Sequence, residues 1–433
     1  MELRSRSRKG THLLREVIRL ISDKDVACYL HFACVYSDVT SPPFEIIDRA
    51  VPERWRLKMK NYTHTDFLRE GILSLRTACK ETASEGLHEH VLHLSGGFDS
   101  RAVLGGLVET VSPSDIDTVT HGNSKSHDFI IGARVARTAG VRHTPMGSEE
   151  LEWTSENLIS AIQRMHLPVP MAATKLPLAE VHRRFGVDRT YWSGYLGDAL
   201  AGAHLYSSPS LTWEQAIERF VRKNRVGSSN IVPTDFDPRS VLPSEPLCDP
   251  SSITMDEQLD LEVRQRFRIR GRSKGIDSRS PFTHPRWSSF MLAAPHRLRF
   301  RKPLYKEILV AAYPQLFRLP IESNYGLGIG RSRTSRTTKR VAGKAKSLLG
   351  WRPKRGVFDL DKEFSSNGAL HQAAYDAVHH LDSSRIAQWI NYERLWRDHQ
   401  EGKMNHAKDL LVLLSLSINF RAMERNDTST GRT

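Results

Sequence analysis

Val91-Leu92-His93-Leu94-Ser95-Gly96-Gly97-Phe98-Asp99-Ser100 is the stretch of this chain that decides the fold. An apolar run ends in Ser-Gly-Gly, and apolar residues return at helical spacing after Ser100. This pattern predicts a buried strand, a tight turn and a helix. Two consecutive glycines let the backbone curl so that several N–H groups point at one anion, and the N-terminus of the next helix adds partial positive charge. The turn is therefore predicted to bind phosphate groups.

Asp99 lies inside this predicted turn, where a carboxylate by itself would repel a phosphate. It becomes favourable if it holds a Mg²⁺ that bridges to the phosphates, because hard cations prefer oxygen ligands. A glycine pair before a helix is often only a turn. The combination Ser-Gly-Gly-x-Asp-Ser is more specific than a glycine pair and favours the phosphate-binding interpretation.

A second predicted strand covers residues 116–120 and ends at His121-Gly122-Asn123. The order strand, helix, strand implies a parallel sheet with right-handed crossovers. Ligands of such sheets lie at the carboxyl ends of the strands, so His121 and Gly122 should share a cleft with residues 95–100. Amphipathic helices at 369–380, 386–398 and 408–425 should cap the domain. The predicted fold is therefore α/β, a parallel twisted sheet with flanking helices and a helical C-terminal part.

A second glycine-rich turn follows a further strand, at Ser193-Gly194-Tyr195-Leu196-Gly197-Asp198. The first turn resembles the pyrophosphate loop of the ATP pyrophosphatase superfamily, and both turns together resemble its asparagine synthetase and β-lactam synthetase branch. The resemblance implies an adenine nucleotide α-hydrolase-like fold that uses ATP and Mg²⁺. It implies Mg²⁺ ligation by Asp99 and Asp198. Nucleotide contacts are implied for Leu94, Ser95, Gly96, Gly97, Asp99, Ser100, His121, Gly122, Ser193 and Gly194.

Tyr195 departs from the asparagine synthetase pattern, which has a glutamate at this position. β-Lactam and carbapenam synthetases have a tyrosine there, paired with a glutamate from a later part of the chain. Residues 275–282 resemble the family's Gly-Val-Glu-x-Arg-x-Pro-Phe helix end, with Asp277 on the glutamate position. The resemblance thus implies that Asp277 accepts a hydrogen bond from the Tyr195 phenol and that the pair acts as a general base. A purely structural Tyr–Asp bond is the alternative.

Lysine positions depart further from the family pattern. Lys302 and Lys306 resemble the family lysine before its penultimate helix. The lysine that relatives carry just before a later glycine-containing loop has no counterpart in residues 321–328. We therefore expect Lys306, or a residue of the basic segment that follows, to supply the missing charge; otherwise the chemistry is weaker or different. The final glutamate of the second turn is also replaced, by Ala199.

Residues 1–62 resemble the tail of an N-terminal amidotransferase domain and are interpreted as a remnant or linker, with a predicted strand at 55–59. Glu2 stands where glutamine-dependent relatives have a nucleophilic cysteine. Residues 63–433 are interpreted as the synthetase domain. The chain is therefore not expected to make ammonia from glutamine, and a separate ammonia-supplying or biosynthetic partner is an option.

Charge is concentrated in one segment of this 433-residue chain, whose formal net charge is +14. Residues 331–355 contain ten Lys or Arg and no acid, with Trp351 as their one aromatic residue. Residues 331–356 are therefore interpreted as a solvated, mobile loop, and nucleic-acid binding is disfavoured. The four cysteines form no CxxC pair, so no zinc site or disulfide framework is indicated. No signal peptide or membrane span is recognised, and a cytoplasmic protein is expected.

The function expected from these residues is that of an ATP-dependent amide-forming ligase. A carboxylate of a small molecule or peptide would attack the α-phosphate of ATP, giving an acyl-adenylate and pyrophosphate, and an amine would then displace AMP. Two alternatives stay open. One is an ATP pyrophosphatase that modifies an RNA base, which the positive net charge favours. The other is a catalytically weakened ATP-binding subunit, which Ala199 and the missing lysine favour.

Overall fold

A five-stranded parallel sheet forms the centre of the computed structural model, which describes residues 22–36, 51–265, 273–321 and 360–430. The spatial order is β3-β2-β1-β4-β5. The strands are β1 (His90–His93), β2 (Ile116–Gly122), β3 (Arg142–Gly147), β4 (Thr190–Trp192) and β5 (Asp277–Arg279). All four neighbouring pairs are parallel, and the predicted α/β fold is confirmed.

The chain order of the strands reverses at β1. From β1 the chain continues to β2 and β3 on one side, and it returns to place β4 and β5 on the other. In the register, His93 lies opposite Val119 of β2, and Leu92 lies opposite Trp192 of β4. The carboxyl ends of the three central strands therefore meet at one edge of the sheet, at the switch point where such folds bind ligands.

Side chains alternate between the two faces of the sheet, as the period of two requires. Leu92 and Trp192 contribute to the largest apolar cluster, together with the helices His64–Ser84, Asp99–Val108 and Pro285–Ala293. Val91, Val119 and Tyr191 face the other way and pack against Val181. Both faces of the sheet are thus covered, which explains why the predicted strands read as nearly continuous apolar runs.

Helices make up most of the remaining described residues. Their bounds are Asp23–Phe32, Val51–Met59, His64–Ser84, Asp99–Val108, His127–Ala139, Ser155–Ile162, Leu176–Phe185, Gly197–Leu200, Trp213–Asn224, Met255–Gln258, Pro285–Ala293, His296–Arg299, Pro303–Ala312, Pro314–Phe317, Leu360–Ser365, Ala369–Ser383, Tyr392–Gln400 and Ala407–Thr430. The turn Met255–Gln258 continues as a π-helix over Leu259–Gln265. In the part of the chain that the structure describes, no helix is both long and apolar enough to cross a membrane.

The N-terminal helix Asp23–Phe32 packs on the C-terminal helices. Tyr29 donates a hydrogen bond to the Val169 carbonyl at 2.9 Å, and the Asn419 amide donates to the Tyr29 hydroxyl at 3.0 Å. Tyr29 and Leu30 share an apolar cluster with the helix Ala407–Thr430. Residues 22–36 therefore pack together with the C-terminal helices. The proposed division of the chain at residue 62 remains a prediction.

Two local predictions are wrong. Residues 55–59 belong to the helix Val51–Met59, whose apolar Trp55 and Met59 lie one turn apart and pack on the main core. Residues 277–279 form β5 instead of a helix end, because Thr190 pairs with Asp277 across the sheet. The predicted basic loop, residues 331–356, lies outside the described residues.

Candidate active site

The backbone N–H groups of the turn after β1 are hydrogen-bonded to side chains of the protein. The N–H of Ser95 donates to Ser100 Oγ at 3.0 Å, and the N–H of Gly97 donates to Ser95 Oγ at 3.2 Å. Between them, the N–H of Gly96 donates to Asp128 Oδ1 at 2.8 Å. Three successive N–H groups thus bond to side-chain oxygens, as they would to the oxygens of an anion. Asp128, in the first turn of the helix His127–Ala139, therefore helps to hold this turn.

The second turn packs directly on Asp99. Oδ2 of Asp99 accepts the N–H of Asp198 at 3.0 Å, and Oδ1 accepts the Tyr305 hydroxyl at 2.8 Å. A Cβ on Gly194 or Gly197 would lie 2.6 Å from side-chain carbon atoms of Asp99, so this contact requires both glycines. The structure therefore brings together Asp99 and Asp198, the two carboxylates predicted to share a Mg²⁺.

Asp99 is held in an electrostatically unfavourable place. Desolvation raises its pKa to about 7, and the neighbouring Asp198 carboxylate adds to the rise. The ammonium of Lys302, the Tyr305 hydroxyl and the Asp198 N–H oppose this effect. Raised carboxylate pKa values at paired acids are typical of sites that bind cations or transfer protons.

Lys302 is the cation that pairs with Asp198. Its Nζ forms an ion pair with Asp198 Oδ1 and lies 5.0 Å from the centroid of the Phe98 ring. The Lys302 side chain is only 14% exposed. Its backbone is left-handed, with φ of 65°, directly before the helix that begins at Pro303.

Lys306 is one of the expected catalytic residues, and its role stays a prediction. Its Nζ donates to the Arg301 carbonyl at 3.2 Å in an exposed position, one helical turn from Lys302. The residues in which a later lysine was sought, 322–328, lie outside the described part of the chain. Among the described residues, Lys302 forms an ion pair with Asp198, and the resemblance had identified Lys302 only together with Lys306.

The predicted pair of Tyr195 and Asp277 is wrong. Asp277 lies opposite Thr190 at the amino end of β4, where it accepts hydrogen bonds from Thr190 Oγ1 at 2.7 Å and from Arg279 Nε. Tyr195 comes after the carboxyl end of β4, and its hydroxyl donates to the Gln265 carbonyl at 2.7 Å. Asp277 lies at the amino ends of the strands and Tyr195 lies beyond their carboxyl ends. Asp277 therefore does not polarise the Tyr195 phenol.

The end of β2 lies beside the first turn, as predicted. Leu94 is used in the sheet, since its N–H donates to the Val119 carbonyl at 2.8 Å and its own carbonyl accepts Thr120 Oγ1 at 2.7 Å. Gly122 has a φ of 138°, and a Cβ there would meet no atom within 4 Å. The ring of His121 lies 5.6 Å from that of His93. Gly122 thus borders open space at this edge.

Ser193 follows β4 at the same edge. Its N–H donates to the Arg279 carbonyl of β5 at 3.1 Å, so the backbone pairing of these strands extends one residue beyond Trp192.

Arg101 is a contributor that the sequence did not reveal. It is fully buried, and its guanidinium donates to the carbonyls of Gly96, Leu316 and Pro320 at 3.1, 3.0 and 2.8 Å. It thereby ties the first turn to the residues just before position 322. An arginine on the first turn of a helix gives no sequence signal for this role.

Oxygen ligands at this edge fit a hard cation. Asp99 and Asp198 supply carboxylates, and Ser95 and Ser100 supply hydroxyls. Within the described ranges, no group of three or more His, Cys, Asp or Glu could hold a metal ion. Mg²⁺ commonly takes one or two carboxylates and completes its shell with water and phosphate oxygens. The residues present therefore fit a cation that arrives with a nucleotide.

Comparison with known proteins agrees with this geometry. Residues 82–239 match the family described as asparagine synthase. The match includes β1 to β4 and both glycine-rich turns. No curated protein matches the chain. Residues 82–239 of this chain are therefore similar to the synthetase domain of the asparagine synthase family.

Proposed function

We propose that the protein is an ATP-dependent ligase that joins a carboxylate to an amine, with AMP and pyrophosphate as the other products. The observation that carries this proposal is the contact between the two glycine-rich turns. It joins Asp99 after β1 to Asp198 after β4, at the sheet edge where parallel folds bind nucleotides. The asparagine synthase match supports an ATP-using synthetase of the ligase type.

Each part of the site has a proposed role. The N–H groups of residues 95–97 bind phosphate oxygens, and Gly122 leaves room for the adenine. Asp99 and Asp198 would hold Mg²⁺, which when bound would neutralise phosphate charge. Lys302 stabilises the negative charge that develops when the substrate carboxylate attacks the α-phosphate. A cation in such a site is worth on the order of 3 kcal/mol of transition-state stabilisation.

The substrates are proposed to be a small-molecule or peptide carboxylate and an amine, with ammonia from a separate source as one option. An ATP-binding subunit without turnover is the second candidate, favoured by Ala199 in place of the family glutamate. The ion pair of Lys302 with Asp198 argues against that candidate, because a cation is present beside the carboxylates.

The test is exchange of labelled pyrophosphate into ATP, measured with a panel of amino acids, peptides and other small carboxylic acids. We expect acid-dependent exchange for the wild type and a loss of about 100-fold or more for Asp198→Ala. Asp115→Asn, a change at an exposed residue of the 3₁₀-helix Pro113–Asp115 before β2, is the matched control and should keep full exchange. ATP binding without exchange for any acid would contradict the ligase and support the inactive subunit. Exchange that depends on RNA would instead point to base modification.

A further inference from the structure

His204 and Asp260 form a carboxylate–imidazole pair that the proposed function does not use. Nδ1 of His204 lies 2.7 Å from Oδ2 of Asp260. A carboxylate only accepts hydrogen bonds, so Nδ1 carries the proton and Nε2 carries the lone pair of the neutral ring. The His204 side chain is 24% exposed, whereas that of Asp260 is 11% exposed. The pair thus has a sheltered carboxylate and an imidazole that reaches the solvent side.

The pair adjoins the proposed active site through the backbone. His204 follows Ala203, whose N–H donates to the carbonyl of Asp198 at 2.9 Å. On the other side, Gln265 Nε2 donates to Asp260 Oδ2 at 3.3 Å, and the Gln265 carbonyl accepts the Tyr195 hydroxyl. One hydrogen-bonded network therefore connects Tyr195, beyond the end of β4, to His204.

The π-helix Leu259–Gln265 gives this network its shape. Asp260, Arg264 and Gln265 all belong to it, and Arg264 Nη1 donates to Asp260 Oδ1 at 3.0 Å. π-Helical turns are rare and are often found at functional sites. Burial favours the neutral acid, but the bonds from His204 and Arg264 outweigh it and keep the pKa of Asp260 below its usual value. Asp260 therefore stays ionised and holds the ring.

Further charged groups surround the pair. Asp256 accepts hydrogen bonds from Ser210 and pairs with Arg219. Arg219 and Lys223, from the helix Trp213–Asn224, both lie over the Tyr206 ring, at 4.4 and 5.0 Å. His296 contacts the Tyr206 carbonyl at 3.0 Å.

We infer that His204 is the general base that accepts the proton of the attacking amine, with Asp260 as its positioning residue. This inference rests on the proposed function. It gives the proton-accepting role to an imidazole next to the Asp198 turn, in place of the phenol of Tyr195, whose expected carboxylate partner lies at the other edge of the sheet.

The step balances without any further reactant. The amine nitrogen bonds to the carbonyl carbon of the acyl-adenylate, and the bond from that carbon to the phosphate oxygen breaks. AMP leaves with the electron pair of the broken bond. The proton lost by the nitrogen moves to Nε2 of His204, and the imidazolium is stabilised by Asp260. Solvent then removes this proton.

The test separates the two halves of the reaction in the full chain. With the acid that gives the largest exchange, we measure pyrophosphate exchange, amide formation with ammonia and methylamine, and hydroxamate formation with hydroxylamine. His204→Gln should keep exchange and hydroxamate formation within about threefold, because hydroxylamine attacks activated acyl groups without a catalytic base. Amide formation should fall about 100-fold. His64→Gln, which removes an exposed histidine 2.6 Å from Glu307, is the matched control and should change neither half.

Two further measurements distinguish a base from a structural contact. His204→Ala should regain amide formation when imidazole is added, and Asp260→Asn should lose about 100-fold, because an amide can donate to Nδ1 and favours the wrong tautomer. Unchanged amide formation in His204→Gln would overturn the inference. A wild type with no exchange, or with no amide product, would overturn the proposed function itself.

Discussion

Replacing Asp99 by asparagine should stabilise the chain while removing one of the two proposed Mg²⁺ ligands. In the fold the pKa of Asp99 rises from 3.8 to about 7, chiefly by desolvation and then by the charge of Asp198. A rise of about three pKa units corresponds to an upper value of about 4 kcal/mol. Asp99 keeps some solvent exposure, so we expect Asp99→Asn to gain about 2 kcal/mol at pH 8.

The sign follows from the two protonation states. Well below pH 4, Asp99 is protonated in both the folded and the unfolded chain, and asparagine should bring no electrostatic gain. Between pH 4 and 7 the unfolded chain ionises first, so the folded wild type loses stability as pH rises, and above pH 7 the loss is constant. Asparagine resembles the protonated acid at every pH. It can still accept the Asp198 N–H and donate to the Tyr305 oxygen.

The assay is urea unfolding at pH 5 and pH 8, monitored by tryptophan fluorescence. Pyrophosphate exchange is measured on the same protein preparations without urea. The gain should be larger at pH 8, and exchange should be lost. Asp66→Asn is the matched control, because hydrogen bonds from Thr63 lower the pKa of Asp66, so this change should destabilise the chain at pH 8. A lower stability of Asp99→Asn at pH 8, or an equal gain at both pH values, would refute the reasoning.

Three more predictions follow from single residues. Lys302→Met should lower pyrophosphate exchange about 100-fold, and Lys306→Met should leave it within about threefold; a larger effect of Lys306→Met would contradict the assignment. Arg101→Met should lower the free energy of unfolding in urea by about 3 kcal/mol, because several buried carbonyls lose their donor; a loss below about 1 kcal/mol would count against it. Desolvation lowers the pKa of His93 to about 3 in the folded chain. Below pH 6.5, His93 therefore binds a proton in the unfolded chain but stays neutral in the folded chain. Stability should fall from pH 6.5 to 4.5, and His93→Gln should flatten that slope in urea unfolding series.

Local patterns in the sequence predicted those parts of the site that depend on local physics. The glycines of the two turns and the apolar runs before them specify strand, turn and helix within ten residues, and the parallel sheet then brings Asp99 to Asp198. The prediction for Asp277 is wrong because a short motif does not encode strand register. The register pairs Asp277 with Thr190 at the amino end of β4. Lys302 and Lys306 are one helical turn apart, and their spacing alone does not predict that Lys302 forms the ion pair with Asp198.

Longer-range contacts could not be predicted. Arg101 bonds to carbonyls more than 200 positions away, and nothing in its surroundings along the chain marks it. His204 and Asp260 are separated by 56 positions and meet only because a π-helix packs beside the second turn. Such contacts depend on how elements pack together, which spacing and periodicity do not specify.

The closed hydrogen bonding of the turn at residues 95–97 has a consequence for which anions the chain retains. An incoming phosphate must displace Ser100, Asp128 and the Ser95 hydroxyl from these N–H groups, so it gains only the difference between two sets of hydrogen bonds. Free phosphate has little more than this exchange to drive its binding. Under the proposed function, the base of a nucleotide would also bind near Gly122, and that second attachment would help its phosphates to open the turn. Under the proposed function, the turn would therefore bind free phosphate weakly and would bind the phosphates of a nucleotide that is already held by its base.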